Sequence, residues 1–140
     1  MHRFLFAILG AVLLNLSVVS GPKAQGSPDG ALESTVLGQI EALKLRDYGA
    51  AFEYASDGIQ AYFGTPENFA IMLNSGYQMV LDPAEVEFLE NRPDGLAVWQ
   101  RVMVTAPSGE EYFLDYQMVP DHEGWKINAV VHVEPTMLAV

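Results

Sequence analysis

The middle of the chain carries more helix start and stop signals than one long helix would tolerate. Asp47, Ser56 and Thr65 each stand where a side-chain oxygen can cap the first turn of a helix, and a proline follows Thr65 directly. Gly64 and Gly76 come where such helices would end. This spacing predicts several short helices packed at angles, and it argues against a continuous rod.

A longer helix is predicted ahead of these signals. Ser27 is a candidate N-cap, and Pro28 fits the first helical position. Apolar side chains then recur at spacings of four, four and three residues: Leu32, Val36, Ile40 and Leu43. The repeat predicts one apolar helix face that must be buried.

The period changes to two after Asp82 and Pro83. Val86 and Phe88 alternate with glutamates, and turn signals follow at 94–95, 107–109 and 121–124. The remaining strands are predicted at 96–106, 111–119 and 125–133. Helices followed by a four-stranded antiparallel sheet define an α+β fold, and a curved sheet wrapped on short helices would form a cone with an interior.

Alternation also assigns faces to the strands. The predicted buried faces of the last two strands comprise two sets of residues: Tyr112, Leu114, Tyr116 and Met118, then Trp125, Ile127, Ala129, Val131 and Val133. Neither face of the second strand is cleanly apolar, because Trp99 and Met103 share a side with Arg101, and the valines share a side with Gln100. A bulge would resolve the conflict, and the facing of Trp99, Gln100 and Arg101 stays open.

The N-terminus has the pattern of an export signal. A basic start is followed by an apolar run from Phe4 to Val19, which is shorter than the about 20 residues that a membrane span usually needs. We expect cleavage after Ala24, with Ser20 or Gly21 as alternative sites, and a periplasmic or secreted protein; the alternative is that the apolar run is retained as a membrane anchor. The expected organisation is a signal peptide at 1–24, a linker at 25–30 and one domain at 31–140.

Composition limits the partners. The chain has 18 acidic and 7 basic residues, and loss of the predicted signal peptide shifts the formal charge from -11 to -13. An acidic domain repels phosphate backbones and anionic lipid surfaces, so we expect neither nucleic acid nor, after cleavage, membrane as a partner. The chain contains no cysteine, which excludes disulfides and a lipid-modified cysteine.

The stretch from Ile40 to Val133 resembles an uncharacterised bacterial family, domain of unknown function 4864, of small exported proteins. The matching pieces are Asp47, Ala51-Phe52, Ala55-Ser56, Phe63-Gly64, Pro66 to Phe69, Gly76-Tyr77, Trp99 to Val102, Tyr116, Gly124-Trp125 and Ile127. The resemblance implies an architecture similar to the nuclear transport factor 2-like, or cystatin-like, superfamily. Such cones often bind small apolar molecules and sometimes act on them, but the family itself implies no activity.

Titratable residues provide only weak catalytic candidates. His132 and Asp115 would serve as general bases if they entered the cone, but the face assignment puts both on the outer, solvated side. Arg101 is expected to form a salt bridge at the rim, and Asp47 to cap a helix.

The cluster of Asp121, His122 and Glu123 is interpreted as a solvated turn, since adjacent residues do not converge on one ion. We predict no metal site and no cofactor.

The aromatic and methionine residues suggest where a ligand would lie. The predicted pocket residues are Phe52, Phe69, Met72, Tyr77, Trp99, Tyr116, Met118 and Trp125. The favoured function is a non-catalytic binding or interaction module for a small apolar ligand or a protein partner. The alternatives are an isomerase-like or hydratase-like enzyme and a structural protein that dimerises through an open sheet face bearing Phe113, Val119 and Val130.

Overall fold

The computed structural model describes residues 28–134, so the predicted signal peptide and the Ser27 cap lie outside the described residues. The helices are α1 (Pro28–Lys44), α2 (Tyr48–Glu53), α3 (Asp57–Phe63) and α4 (Pro66–Gly76), followed by a 3-10 turn at Gln78–Val80. The strands are β1 (Glu85–Asp94), β2 (Ala97–Thr105), β3 (Glu111–Asp121) and β4 (Gly124–His132). The predicted α+β fold is therefore confirmed.

The three N-cap signals predicted within the described residues function as caps. Asp47 Oδ1 accepts a hydrogen bond from the Ala50 amide at 3.1 Å, and Ser56 Oγ accepts one from the Ile59 amide at 3.3 Å. Thr65 Oγ1 caps α4 in the same way, and Gly64 ends α3 with a φ of 78°, a conformation that favours glycine. Local side-chain chemistry thus divides this stretch into short helices.

Helix α1 supplies one wall of the core. It begins at Pro28, so residues 28–30 are helical and not part of a linker. Its apolar repeat is buried as predicted, with Leu32, Val36, Ile40 and Leu43 at most 2% exposed. No helix within residues 28–134 is long and apolar enough to cross a membrane.

The sheet is an antiparallel meander in the order β1-β2-β3-β4, with the helices on one face. The side chains on that face, called the inner face here, include Val102, Val104, Leu114, Tyr116 and Met118, all fully buried. The opposite side is called the outer face. The core lies between α1, α2, α4 and the inner face.

The predicted bulge lies in β1 and not in β2, the strand whose two faces looked mixed in the sequence. Strand β1 holds one extra residue between Phe88 and Asn91, whereas β2 keeps a regular alternation against β3. Gln100 therefore points inward, where its carboxamide nitrogen donates to the Leu89 carbonyl at 2.9 Å. Trp99 and Arg101 lie on the outer face.

The connection between α2 and α3 is fixed to β4 by backbone hydrogen bonds. The Ser56 amide donates to the Ile127 carbonyl, and the Ile127 amide donates to the Tyr54 carbonyl, both at 2.9 Å. The Tyr54 ring in turn lies so close to α1 that a Cβ added at Gly38 would be 2.6 Å from it. These contacts place the short helices over the end of the sheet where the cavity forms.

Candidate functional site

An apolar cavity of about 310 Å³ lies between the short helices and the β3–β4 side of the sheet. Its walls come from every layer of the fold: Gln39, Ala55, Ile59, Phe63, Phe69, Met72, Leu73, Tyr77, Val80, Tyr116 and the β4 segment 127–130. None of these residues, all within the described part of the chain, carries a formal charge. The cavity is therefore suited to a neutral, mostly apolar guest.

A bulge in β4 decides which residues of that strand face the cavity. Tyr116 pairs with Val130 and Met118 pairs with Ile127, so β4 holds one extra residue at Asn128. The alternation restarts after Asn128, and both Ile127 and Val130 face the helices. The prediction of one unbroken buried face along this strand is wrong at Val131, which is exposed, whereas Ala129 lines the cavity.

Aromatic rings form the helical wall. Phe69 lies between Phe52 and Phe63, with ring centroids 5.3 Å and 5.8 Å away. Phe63 meets the exposed ring of Tyr62 edge-on at 5.0 Å. Tilted and edge-on contacts of this kind are favourable and hold the rings in place.

Most polar groups at the cavity are already paired. Asn128 donates to Gln117 Oε1 and accepts from Ser56 Oγ, both at 2.8 Å. The Tyr77 hydroxyl donates to the Val130 carbonyl at 2.7 Å, and the Gln39 carboxamide nitrogen donates to the Ala51 carbonyl at 3.3 Å. These bonds fix the side chains that shape the cavity.

Tyr116 is the exception. Its side chain is 1% exposed, and within residues 28–134 its hydroxyl forms no hydrogen bond. The described residues leave no fully enclosed side-chain nitrogen or oxygen unpaired. The hydroxyl must therefore reach the cavity, which Tyr116 lines. Burial, and secondarily the neighbouring Tyr77, raises the pKa of Tyr116, so the hydroxyl keeps its proton at neutral pH.

Asp115 lies on the outer face, away from the cavity, as predicted. The prediction that it is solvated is wrong, since it is 6% exposed. Arg101 forms a bidentate salt bridge with Asp115, in which Nε donates to Oδ1 at 2.9 Å and Nη2 donates to Oδ2 at 3.1 Å. Two side chains that the sequence left as separate candidates thus form one ion pair.

His132 is placed on the inner side of β4, contrary to the predicted facing, because the Asn128 bulge shifts the alternation. Its ring stacks on Tyr77 with centroids 4.7 Å apart, and its Nε2 lies 2.9 Å from the Gly76 carbonyl oxygen. A carbonyl only accepts, so Nε2 carries the proton. The imidazole is exposed at the rim and does not line the cavity.

The eight pocket residues predicted from the sequence fall into two groups. Four line the cavity: Phe69, Met72, Tyr77 and Tyr116. The other four do not: Phe52 and Met118 belong to the closed core, Trp125 packs half-buried against it, and Trp99 is on the outer face, where its Nε1 donates to Asp94. Trp99 does not reach the cavity, because the regular alternation of β2 puts its side chain on the outer face of the sheet.

The predicted pocket lacked ten of the fourteen lining residues, among them Gln39, Ile59, Asn128 and Val130. Gln39 could have been found, because it sits at helical spacing between Val36 and Leu43 on the buried face of α1. Val130 was assigned to the outer face as part of a dimerisation patch, but it lines the cavity. Phe113 and Val119 do lie on the outer face, and dimerisation stays a prediction.

The acidic turn between β3 and β4 is solvent-exposed at its tip. Lys126 Nζ pairs with Glu123 at 3.1 Å and donates to the Glu53 carbonyl at 2.9 Å. His122 lies 3.5 Å from Glu123 with most of its side chain in solvent. Residues 28–134 contain no group of three or more metal-ligating side chains placed to hold an ion.

The fold and the cavity define a small α+β domain with an uncharged cavity between its helices and its sheet. The chain belongs to the family described as Domain of unknown function (DUF4864), whose family model matches residues 27–140. No curated protein and no solved structure matches the chain. Membership of the nuclear transport factor 2-like superfamily stays a prediction.

Proposed function

We propose that the domain is a binding module whose cavity takes a compact, neutral, largely apolar small molecule. The observation that carries the proposal is the cavity of about 310 Å³ with uncharged walls. Small-molecule sites usually measure about 300–1,000 Å³ and combine apolar walls with a few polar groups. This cavity lies at the small end of that range, which favours a guest of one or two rings.

The position of the titratable groups favours binding over acid–base catalysis. Asp115 is paired with Arg101 on the outer face, and His132 is held at the rim by Gly76. A general base must come within hydrogen-bond reach of the proton that it removes. Neither group lines the cavity, so we expect His132→Gln to leave ligand binding unchanged.

A matched pair of substitutions tests the proposal. Ile59 lines the cavity, whereas Ile71 on α4 is 68% exposed. A neutral naphthylamine dye should fluoresce on binding to the wild type, and naphthalene should displace it. Ile59→Trp should fill the cavity and weaken dye binding at least about tenfold, a change of about 1.4 kcal/mol. Ile71→Trp should bind as the wild type does.

Two results would contradict this proposal. One is a folded wild-type protein that binds neither the dye nor any of a panel of substituted benzenes and naphthalenes. The other is equal dye affinity in Ile59→Trp and Ile71→Trp, which would place the dye on the surface. Urea titration of both variants would show that each is folded.

Export of the domain is part of the proposal. The support is the basic start and the short apolar run from Phe4 to Val19, ahead of the described residues. The mature protein should begin within residues 21–27. Intact-mass measurement of the protein from the cell envelope or medium checks this, and a mass that retains the Phe4–Val19 segment contradicts it.

A further inference from the structure

The unpaired hydroxyl of Tyr116 indicates which chemical class of ligand the cavity prefers. A hydroxyl that faces an apolar cavity without a protein partner gains a hydrogen bond when a guest brings an acceptor to it. Tyr116 sits on the central strand β3 with 1% exposure, so packing fixes its ring. The hydroxyl therefore has a fixed position on the cavity wall.

The hydrogen bonds of the other polar side chains that line the cavity limit which groups can bind a guest. The Tyr77 hydroxyl has used its one donor on Val130, and Asn128 has used one of its two N–H donors on Gln117. The Gln39 carboxamide nitrogen is engaged with the Ala51 carbonyl. Among the residues described that line the cavity, Tyr116 thus has a hydroxyl that donates to no protein acceptor, whereas the Gln39 and Asn128 carboxamides are already oriented by one bond each.

The charge of the site excludes an anionic partner for that donor. Within residues 28–134 no lysine, arginine or histidine lines the cavity, and the chain as a whole is acidic. Moving a carboxylate into such a site without a counter-ion would be strongly unfavourable. The acceptor on the guest should therefore be neutral.

We propose that the Tyr116 hydroxyl donates a hydrogen bond to the carbonyl oxygen of a compact cyclic ketone or aldehyde, and so selects it over the hydrocarbon of the same shape. The inference rests on the proposed function of the cavity. The raised pKa of Tyr116 supports it, since the donor stays protonated across the physiological range.

Three probes of similar shape test the inference: indanone, indane and indane carboxylate, each displacing the dye. Wild-type protein should bind indanone about tenfold more tightly than indane, as expected for one net hydrogen bond. Tyr116→Phe should abolish the preference with indane affinity retained. Tyr62→Phe, at a ring 81% exposed, should keep the preference.

The outcomes separate the two proposals. If indane and indanone bind wild type equally, the cavity binds apolar guests but the role of Tyr116 is refuted. If neither binds, the proposed function itself fails. Tighter binding of the carboxylate than of indanone would overturn the neutral-acceptor assignment.

A second measurement does not depend on the variant folding. The infrared carbonyl stretch of indanone bound to wild type should move to lower frequency than in an alkane solvent, because the hydrogen bond weakens the C=O bond. An unshifted stretch in the bound state would refute the inference even if Tyr116→Phe did not fold.

Discussion

Arg101 and Asp115 face each other across β2 and β3 and join through two hydrogen bonds of 2.9 Å and 3.1 Å. The pair lies on the outer face, yet Asp115 is almost fully buried. Glu90 and Arg92 flank it, at 3.2 Å from Arg101 and 3.6 Å from Asp115. The hydrogen bonds that Arg101 donates to Asp115 are the main cause that raises the pKa of Arg101. Charges buried in this way are tolerated because each has a partner.

Removing one member of the pair should be costly. Asp115→Asn would leave Arg101 with only the exposed Glu90, and we expect a loss of about 3 kcal/mol in the free energy of unfolding. Glu90→Gln is the control, and should cost less than about 1 kcal/mol because that carboxylate is solvated. Urea titration measures both, and equal losses would show that the pair contributes no more than a surface contact.

Tyr116 should make stability depend on alkaline pH. Burial raises the pKa of Tyr116 in the folded state above the unfolded value of about 10. Below about pH 10 the hydroxyl is protonated in both states, so the contribution of Tyr116 to the free energy of unfolding is complete there. Above it, the unfolded chain binds fewer protons, and stability should fall by about 1.4 kcal/mol per pH unit more than in Tyr116→Phe. Urea titrations over a pH series check this, with Tyr62→Phe expected to behave like wild type. Parallel curves for wild type and Tyr116→Phe would contradict it.

Two glycines of α1 should respond oppositely to alanine. At Gly38 the new methyl would collide with the Tyr54 ring, so we expect a loss of about 1–3 kcal/mol. At Gly30 no atom lies within 4 Å, and the better helix propensity of alanine should add up to about 1 kcal/mol. Thermal or urea unfolding compares them. In a Tyr54→Ala background Gly38→Ala should become stabilising, and failure to do so would rule out the collision.

Ser56 should cost more to remove than an ordinary helix cap. The Ser56 hydroxyl caps α3 and also donates a hydrogen bond to Asn128. The Thr65 hydroxyl at the start of α4 acts as a cap alone. Thr65→Ala should cost about 1 kcal/mol. Ser56→Ala should cost about 2 kcal/mol or more, because the Asn128 oxygen loses its partner at the cavity wall. Equal losses in urea would show that the Ser56–Asn128 bond adds nothing.

Much of the architecture could be predicted from the sequence, because the signals are local. Asp47, Ser56 and Thr65 act on amides three residues away, so their role does not depend on the rest of the fold. The apolar repeat of α1 and the period-two strands are likewise read within one element. The helices, the order of the strands and the burial of Tyr116 followed from these signals.

The tertiary structure decided which side chains enter the cavity. One extra residue in β1 left β2 regular and put Trp99 and Arg101 outside, and one extra residue in β4 turned Val130 and His132 inward. A shift of one residue exchanges the two faces of a strand, and its position depends on the neighbouring strand. Residues far apart in the chain, such as Gln39 and Val130, come to share one wall only when the helices pack on the sheet. The sequence alone determined the elements, whereas strand register and packing determined the site.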